Sequence, residues 1–115
     1  MTEKIIAVAF SVLRELGAGF IERVYHNAML LALEEAGLRA VSDPRITVMF
    51  RGKPVGWFKP DIIVEDTIMV ELKASASIVP EHQAIAINYL KATGIDVGLL
   101  LNFGRPKLEI RRLYR

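Results

Sequence analysis

The segment Val97-Gly98-Leu99-Leu100-Leu101-Asn102-Phe103 constrains the fold more than any other stretch of this chain. An apolar run of that length reads as a strand buried on both faces, which occurs in parallel sheets covered by helices on either side. The residues before it agree. Thr67-Ile68-Met69-Val70-Glu71-Leu72-Lys73 is rich in β-formers, and after a loop from Ala74 to Val79, Pro80 is placed as the first residue of a helix that ends at Thr93-Gly94. Strand, helix and strand in that order make a right-handed crossover, so 97–103 should run parallel to 67–73. Gly104-Arg105-Pro106 then turns the chain, and Leu108 and Ile110 alternate with Lys107, Glu109 and Arg111 in a last edge strand.

Upstream, Ile5, Val8, Ala9, Val12, Leu13 and Leu16 recur at helical spacing until Gly17, which predicts an amphipathic helix over 3–16. A second helix is expected from just after Gly19 to Ala36, with Gly37 as its stop. On it Glu22, Tyr25, His26 and Met29 fall at i, i+3, i+4 and i+7, hence on one face. Met29 and Leu33 make that face apolar, so Glu22 is expected to point inward toward the sheet. From Arg45 the period changes to two: Arg45 to Phe50, a turn at 51–54, Val55 to Val64, and Thr67 to Lys73 are expected to form an antiparallel meander. There is no internal repeat, linker or low-complexity segment. The expected whole is one α/β domain, residues 1–115, with a mixed sheet of about five strands flanked by helices.

Composition narrows the chemistry. Hydrophobic residues make up 52% of the chain, which suits a compact globule, and the absence of cysteine excludes disulfides, thiolate nucleophiles and sulfur-built zinc sites. His26 and His82 lie on different predicted helices with no metal-ligand spacing, so no zinc site is expected. Ile5 to Leu13 is apolar, yet Glu3 precedes it, Arg14-Glu15 closes it, and no small-residue cleavage site follows. It is also too short to span a membrane, and a cytoplasmic protein is expected. The net charge of +2 is small, but Arg105, Lys107, Arg111, Arg112 and Arg115 oppose only Glu109 in the last residues. Such a basic end serves either a phosphate backbone or a solvated edge strand that resists aggregation.

The chemistry concentrates in Pro60-Asp61-Ile62-Ile63-Val64 and Thr67 to Lys73, two β-rich runs joined by the acidic turn Glu65-Asp66. Period two places Glu71 and Lys73 on one face, with Val70 and Leu72 on the other. If residues 65 to 67 form the connection, Asp61 lies directly across from Glu71, with Cβ atoms roughly 5 Å apart. Carboxylates that close repel, and a hard divalent cation such as Mg²⁺ relieves them. The alternative is a half-solvated strand whose charges form a surface network.

Pro-Asp on one strand followed by Glu-x-Lys on the next resembles the signature of the PD-(D/E)xK nuclease superfamily. Gly19-Phe20-Ile21-Glu22-Arg23-Val24-Tyr25 has the form G-x-x-E-x-x-Y and is followed by His26-Asn27-Ala28-Met29. Together with the segment from Gly94 to Gly104, these residues are similar to the GxxExxY branch of that superfamily over about residues 5–113. The resemblance implies a restriction-endonuclease-like core and a metal-dependent nuclease acting on DNA or RNA. Asp61 and Glu71 would be direct ligands of Mg²⁺ or Mn²⁺, the Leu72 backbone carbonyl a third, and Glu22 a member of the acidic cluster directly or through water. Lys73 would position or activate the attacking water. Tyr25, His82 and Tyr89 are candidate substrate contacts, with helix packing as the alternative for each.

One position departs from the family pattern, which places glutamine one turn before the tyrosine of helix three. That position is Ile85, and Gln83 lies about 200° away around the helix. A module that binds nucleic acid or protein without catalysis is therefore the competing expectation. No recognition element outside the core is apparent, and a homodimer is expected because a site this small contacts few phosphates.

Overall fold

Helices α1 (Thr2–Leu16) and α2 (Glu22–Glu35) open the chain in a computed structural model that describes residues 1–115. They are followed by β1 (Ala40–Ser42), β2 (Ile46–Phe50), β3 (Lys53–Phe58), β4 (Ile62–Val64), β5 (Ile68–Lys73), α3 (Pro80–Thr93), β6 (Val97–Asn102) and β7 (Glu109–Tyr114). Five strands make one mixed sheet in the order β1-β4-β5-β6-β7. Only β5 and β6 pair in parallel, as the crossover through α3 requires.

The alternation of β5 sorts its side chains between two cores. Ile68, Val70 and Leu72 face the layer formed by α1 and α2, where they join Ile5, Ala9, Tyr25, Met29 and Leu33. Met69 faces the other way and packs with Leu100, Leu113 and the α3 residues Ala86 and Leu90. Strand β6 contributes to both layers, Leu99 and Leu101 to one and Leu100 to the other, which is why its sequence is apolar without alternation. Gly94 ends α3 in the left-handed conformation, φ 74°, and its N–H donates to Leu90 O at 2.9 Å.

A polar latch closes the top of β6. The side-chain oxygen of buried Asn102 accepts the N–H groups of Ser75 and Gly104, and its amide donates to Ser75 O and Glu109 Oε1, all at 3.0–3.1 Å. A Cβ at Gly104 would collide with the Ser75 backbone, so only glycine fits there.

The meander expected over 45–73 does not form. Strands β2 and β3 pair only with each other, with a bulge between Val48 and Met49, and stand outside the main sheet as a separate hairpin. Lys59-Pro60 interrupts the run, and proline cannot donate to a ladder, so β4 restarts at Ile62 in a different sheet. Its outer partner is β1, a strand of three residues, too short to show a period in the sequence. The β4–β5 connection has the anticipated length: Val64 pairs with Ile68, Glu65 and Asp66 adopt φ of 52° and 58°, and Thr67 N–H donates to Val64 O at 3.1 Å.

Candidate active site

Asp61 lies just before β4 and Glu71 near the end of β5. The pairing Ile62 with Val70, continued by one residue, sets them opposite each other. Here side chains replace the backbone ladder. Asp61 N–H donates to Glu71 Oε1 at 2.9 Å, and Leu72 N–H donates to Asp61 Oδ2 at 2.7 Å, so each carboxylate is anchored through one oxygen by the other's strand. Loss of water, then the negative charge of Asp61, pushes the buried Glu71 carboxyl up to about 8. The Asp61 N–H and the Lys73 charge pull the other way without prevailing. Burial raises Asp61 as well, against its bond from Leu72.

Lys73 and Glu22 complete the electrostatic environment. Lys73 is half-buried, and its charge acts on Asp61, Glu71 and Glu22. None of these four residues takes part in any of the molecule's ion pairs. A surface salt-bridge network is therefore not what holds them. Glu22 does not enter the interior as its face implied. It sits at the exposed rim, its carboxyl raised by partial desolvation and then by the charge of Asp61.

The sequence did not announce His26 and Asp43 as partners of this cluster. His26 is buried on α2, with Nε2 2.8 Å from Ser42 Oγ and 3.7 Å from Asp43 Oδ2. Asp43 follows β1 with φ 49°, and its N–H donates to Asp61 O at 2.9 Å. One ligand atom from each of His26, Asp43 and Asp61 lies within 4.8 Å of the other two. Sequence spacing is blind to this, because β1 is what carries Asp43 beside α2. The only local signal was the position of His26 on the face that bears Glu22.

The profile of the PD-(D/E)XK nuclease superfamily matches residues 1–113. The chain belongs to the PD-(D/E)XK nuclease superfamily. Among solved structures, the crystal structure of SSO0001 superposes with a TM-score of 0.62 at 18% identity, over 81% of this chain and 49% of that one. The likeness is one of fold, a mixed sheet between helices of the restriction-endonuclease type, and this chain spans about half the length of that protein. No curated protein matches the chain. No helix is long and apolar enough to cross a membrane.

Measured against that superfamily, the remaining expected contacts divide. Tyr25 is fully buried: its hydroxyl donates to Gly17 O at 2.5 Å and accepts Phe20 N–H at 3.2 Å, and its ring stacks on Phe103 with centroids 4.9 Å apart. That geometry fastens the α1–α2 turn and leaves no face for substrate. His82 is half-buried, and its Nδ1 accepts Val79 N–H at 3.2 Å, which caps α3. Tyr89 does belong to the neighbourhood of the acids. Burial, then the charges of Glu71 and Asp61, raise its hydroxyl, while its ring stacks on Phe58 at 4.1 Å. Ile85, one turn earlier on α3, is 49% exposed.

Proposed function

We propose that this chain is a divalent-metal-dependent phosphodiesterase acting on nucleic acid, DNA or RNA. The observation that carries this is the Asp61–Glu71 pair: two carboxylates held together by crossed backbone hydrogen bonds, at the cost of a proton affinity raised to about 8 on Glu71. A buried site that penalises the charge of two carboxylates, first by desolvation and then by their mutual repulsion, is poised for a cation. We assign Asp61, Glu71 and the Leu72 carbonyl as ligands, with Glu22 acting from the rim. The imidazole of His26, beside Asp61 and Asp43, extends the donor set. Carboxylates and carbonyls suit Mg²⁺ and Mn²⁺, and one nitrogen donor favours Mn²⁺ of the two.

A bound ion of this kind polarises a phosphoryl oxygen and lowers the pKa of a coordinated water. The protein's own contributions follow from the geometry. Lys73, on the same face of β5 as Glu71 and held by no ion pair, is free to orient the attacking water and to offset charge developing on the phosphoryl oxygens. Leu72 N–H fixes the carboxylate of Asp61, and the fully buried Leu72 side chain fixes the backbone between Glu71 and Lys73. Tyr25 positions the start of α2, and with it Glu22, without touching substrate. Gly19, Glu22 and Tyr25 support the finer placement in the GxxExxY branch. The same reading pairs two copies of the chain, which sedimentation equilibrium at micromolar concentration checks.

The deciding experiment incubates purified protein with single- and double-stranded DNA and RNA in Mg²⁺, Mn²⁺, Ca²⁺ or excess chelator. Cleavage is expected in Mn²⁺ and Mg²⁺ only. Cleavage that persists in chelator would sink the metal mechanism. The exposed Ile85, in place of the family's glutamine, favours the non-catalytic binding module as second reading, and binding without cleavage in every metal selects it.

A further inference from the structure

The β2–β3 hairpin has no place in the chemistry above, yet it is the most unusual surface of the molecule. From Arg45 to Lys59 it carries Arg45, Arg51, Lys53 and Lys59 and no acidic residue, in a chain whose net charge is only +2. Met49, Phe50, Val55 and Trp57 on it are each more than half exposed. Cations and rings are interleaved: the Arg45 guanidinium lies 4.3 Å from the Trp57 ring centroid, Lys59 Nζ lies 5.6 Å from the same centroid, and Arg51 lies 4.9 Å from Phe50.

The hairpin is also coupled to the acids. Phe58 stacks on Tyr89 of α3, and Trp57, Phe58, Tyr89, Val48 and Asn88 line a groove of about 390 Å³. Trp57 precedes Asp61 by four residues, so the two Cα atoms are at most about 14 Å apart.

We infer that the β2–β3 hairpin is a docking platform for an unpaired stretch of nucleic acid that continues into the Asp61–Glu71 site. An exposed ring bordered by cations presents a stacking surface for a base and charges for the flanking phosphates. Bases inside a duplex have both faces covered by their neighbours, so stacking on Trp57 selects unpaired nucleotides. A second copy of the chain is a poorer occupant, because docking two such hairpins against each other brings like charges together. The inference rests on the phosphodiesterase reading only for the destination of the strand; binding itself needs no metal.

Trp57 is the chain's single tryptophan, so its fluorescence reports on this surface alone. In chelator, titration with oligothymidylate is expected to quench it, and a duplex of equal length to bind more weakly. Followed by the anisotropy of a labelled oligothymidylate, since both variants lack the tryptophan, Trp57→Ala should weaken binding about 5- to 150-fold and Trp57→Phe should restore most of the loss. Arg51→Ala with Lys53→Ala should flatten the slope of log affinity against log salt by about 1.4. Circular dichroism confirms that the variants fold. Absent quenching, or variants that bind as wild type does, would overturn the platform; duplex binding as tight as single strand would overturn its selectivity for unpaired nucleotides. A dimer lost in Trp57→Ala with oligonucleotide affinity unchanged would assign the face to a second copy and likewise overturn it. Hairpin-dependent binding without cleavage in Mn²⁺ supports the platform and removes the phosphodiesterase, whereas cleavage indifferent to Trp57→Ala does the reverse.

Discussion

Two antiparallel hairpins follow one another in this chain and meet opposite fates. Every residue of β4 and all of β5 except Lys73 are buried, whereas no residue of β2 or β3 is. Their local chemistry overlaps, since both carry β-branched residues and a methionine, though only β2–β3 carries aromatic rings. What differs is the neighbours: β5 lies between β4 and β6 with helices on both faces, while β2–β3 has only itself and one side of α3. A buried hairpin has room for charge only where its strands run out, and there Asp61, Glu71 and Lys73 stand. An exposed hairpin can place charge at both of its ends, and this one does, with Arg45 and Lys59 at the open end and Arg51 and Lys53 at the turn.

The sharpest test of that contrast uses one residue type twice. Met69→Ala on β5, fully buried, is expected to cost about 2–5 kcal/mol, and Met49→Ala on β2, 56% exposed, less than about 0.5 kcal/mol. Denaturant titration compares them, and equal losses would erase the distinction between the two regions. Next in size, Lys73→Ala should lower cleavage by about 10²- to 10³-fold while leaving the metal-induced rise in melting temperature in place. Loss of metal binding with cleavage intact would reverse the assigned role.

Metal itself should stabilise the wild type by about 2.7 kcal/mol at a hundredfold its dissociation constant, and Glu71→Gln should lose most of that gain. The last test concerns the apo protein. A carboxyl raised from 4.5 to about 8 stabilises the fold fully below the unfolded value, and that contribution is lost as pH rises through about 8. Glu71→Gln keeps an acceptor for Asp61 N–H and does not titrate. Its stability relative to wild type should therefore climb between pH 4.5 and 8 and level off above. A variant that instead melts lower at every pH would make Glu71 a structural partner and deprive the site of its central residue.

What could be read in advance divides along the same line. The helices, the three-residue connection after Val64 and the opposition of Asp61 and Glu71 were legible because period and turn chemistry are local properties. The departure of β2–β3 was not, because its alternation looks the same whether or not a third strand lies beside it. Nor were β1, with three residues to show a period, or the approach of Asp43 to His26, which depends on β1 pairing with β4. Tyr25 could be placed on the correct helix face, but the sequence could not reveal that its hydroxyl is already spent on Gly17 and Phe20.

The latch around Asn102 has a consequence for motion. The loop leaving Lys73 is clasped to the end of β6 by one side-chain amide that grips Ser75 with a donor and an acceptor, and Phe103 N–H donates to Lys73 O at 2.8 Å. That loop is therefore not a lid, and the lysine keeps a fixed address whether or not a strand is present. On the function and platform proposed above, the nucleic acid reaches the lysine across the hairpin and not beneath a closing loop. The lysine end of the site acts as an anvil, stationary while the work passes over it.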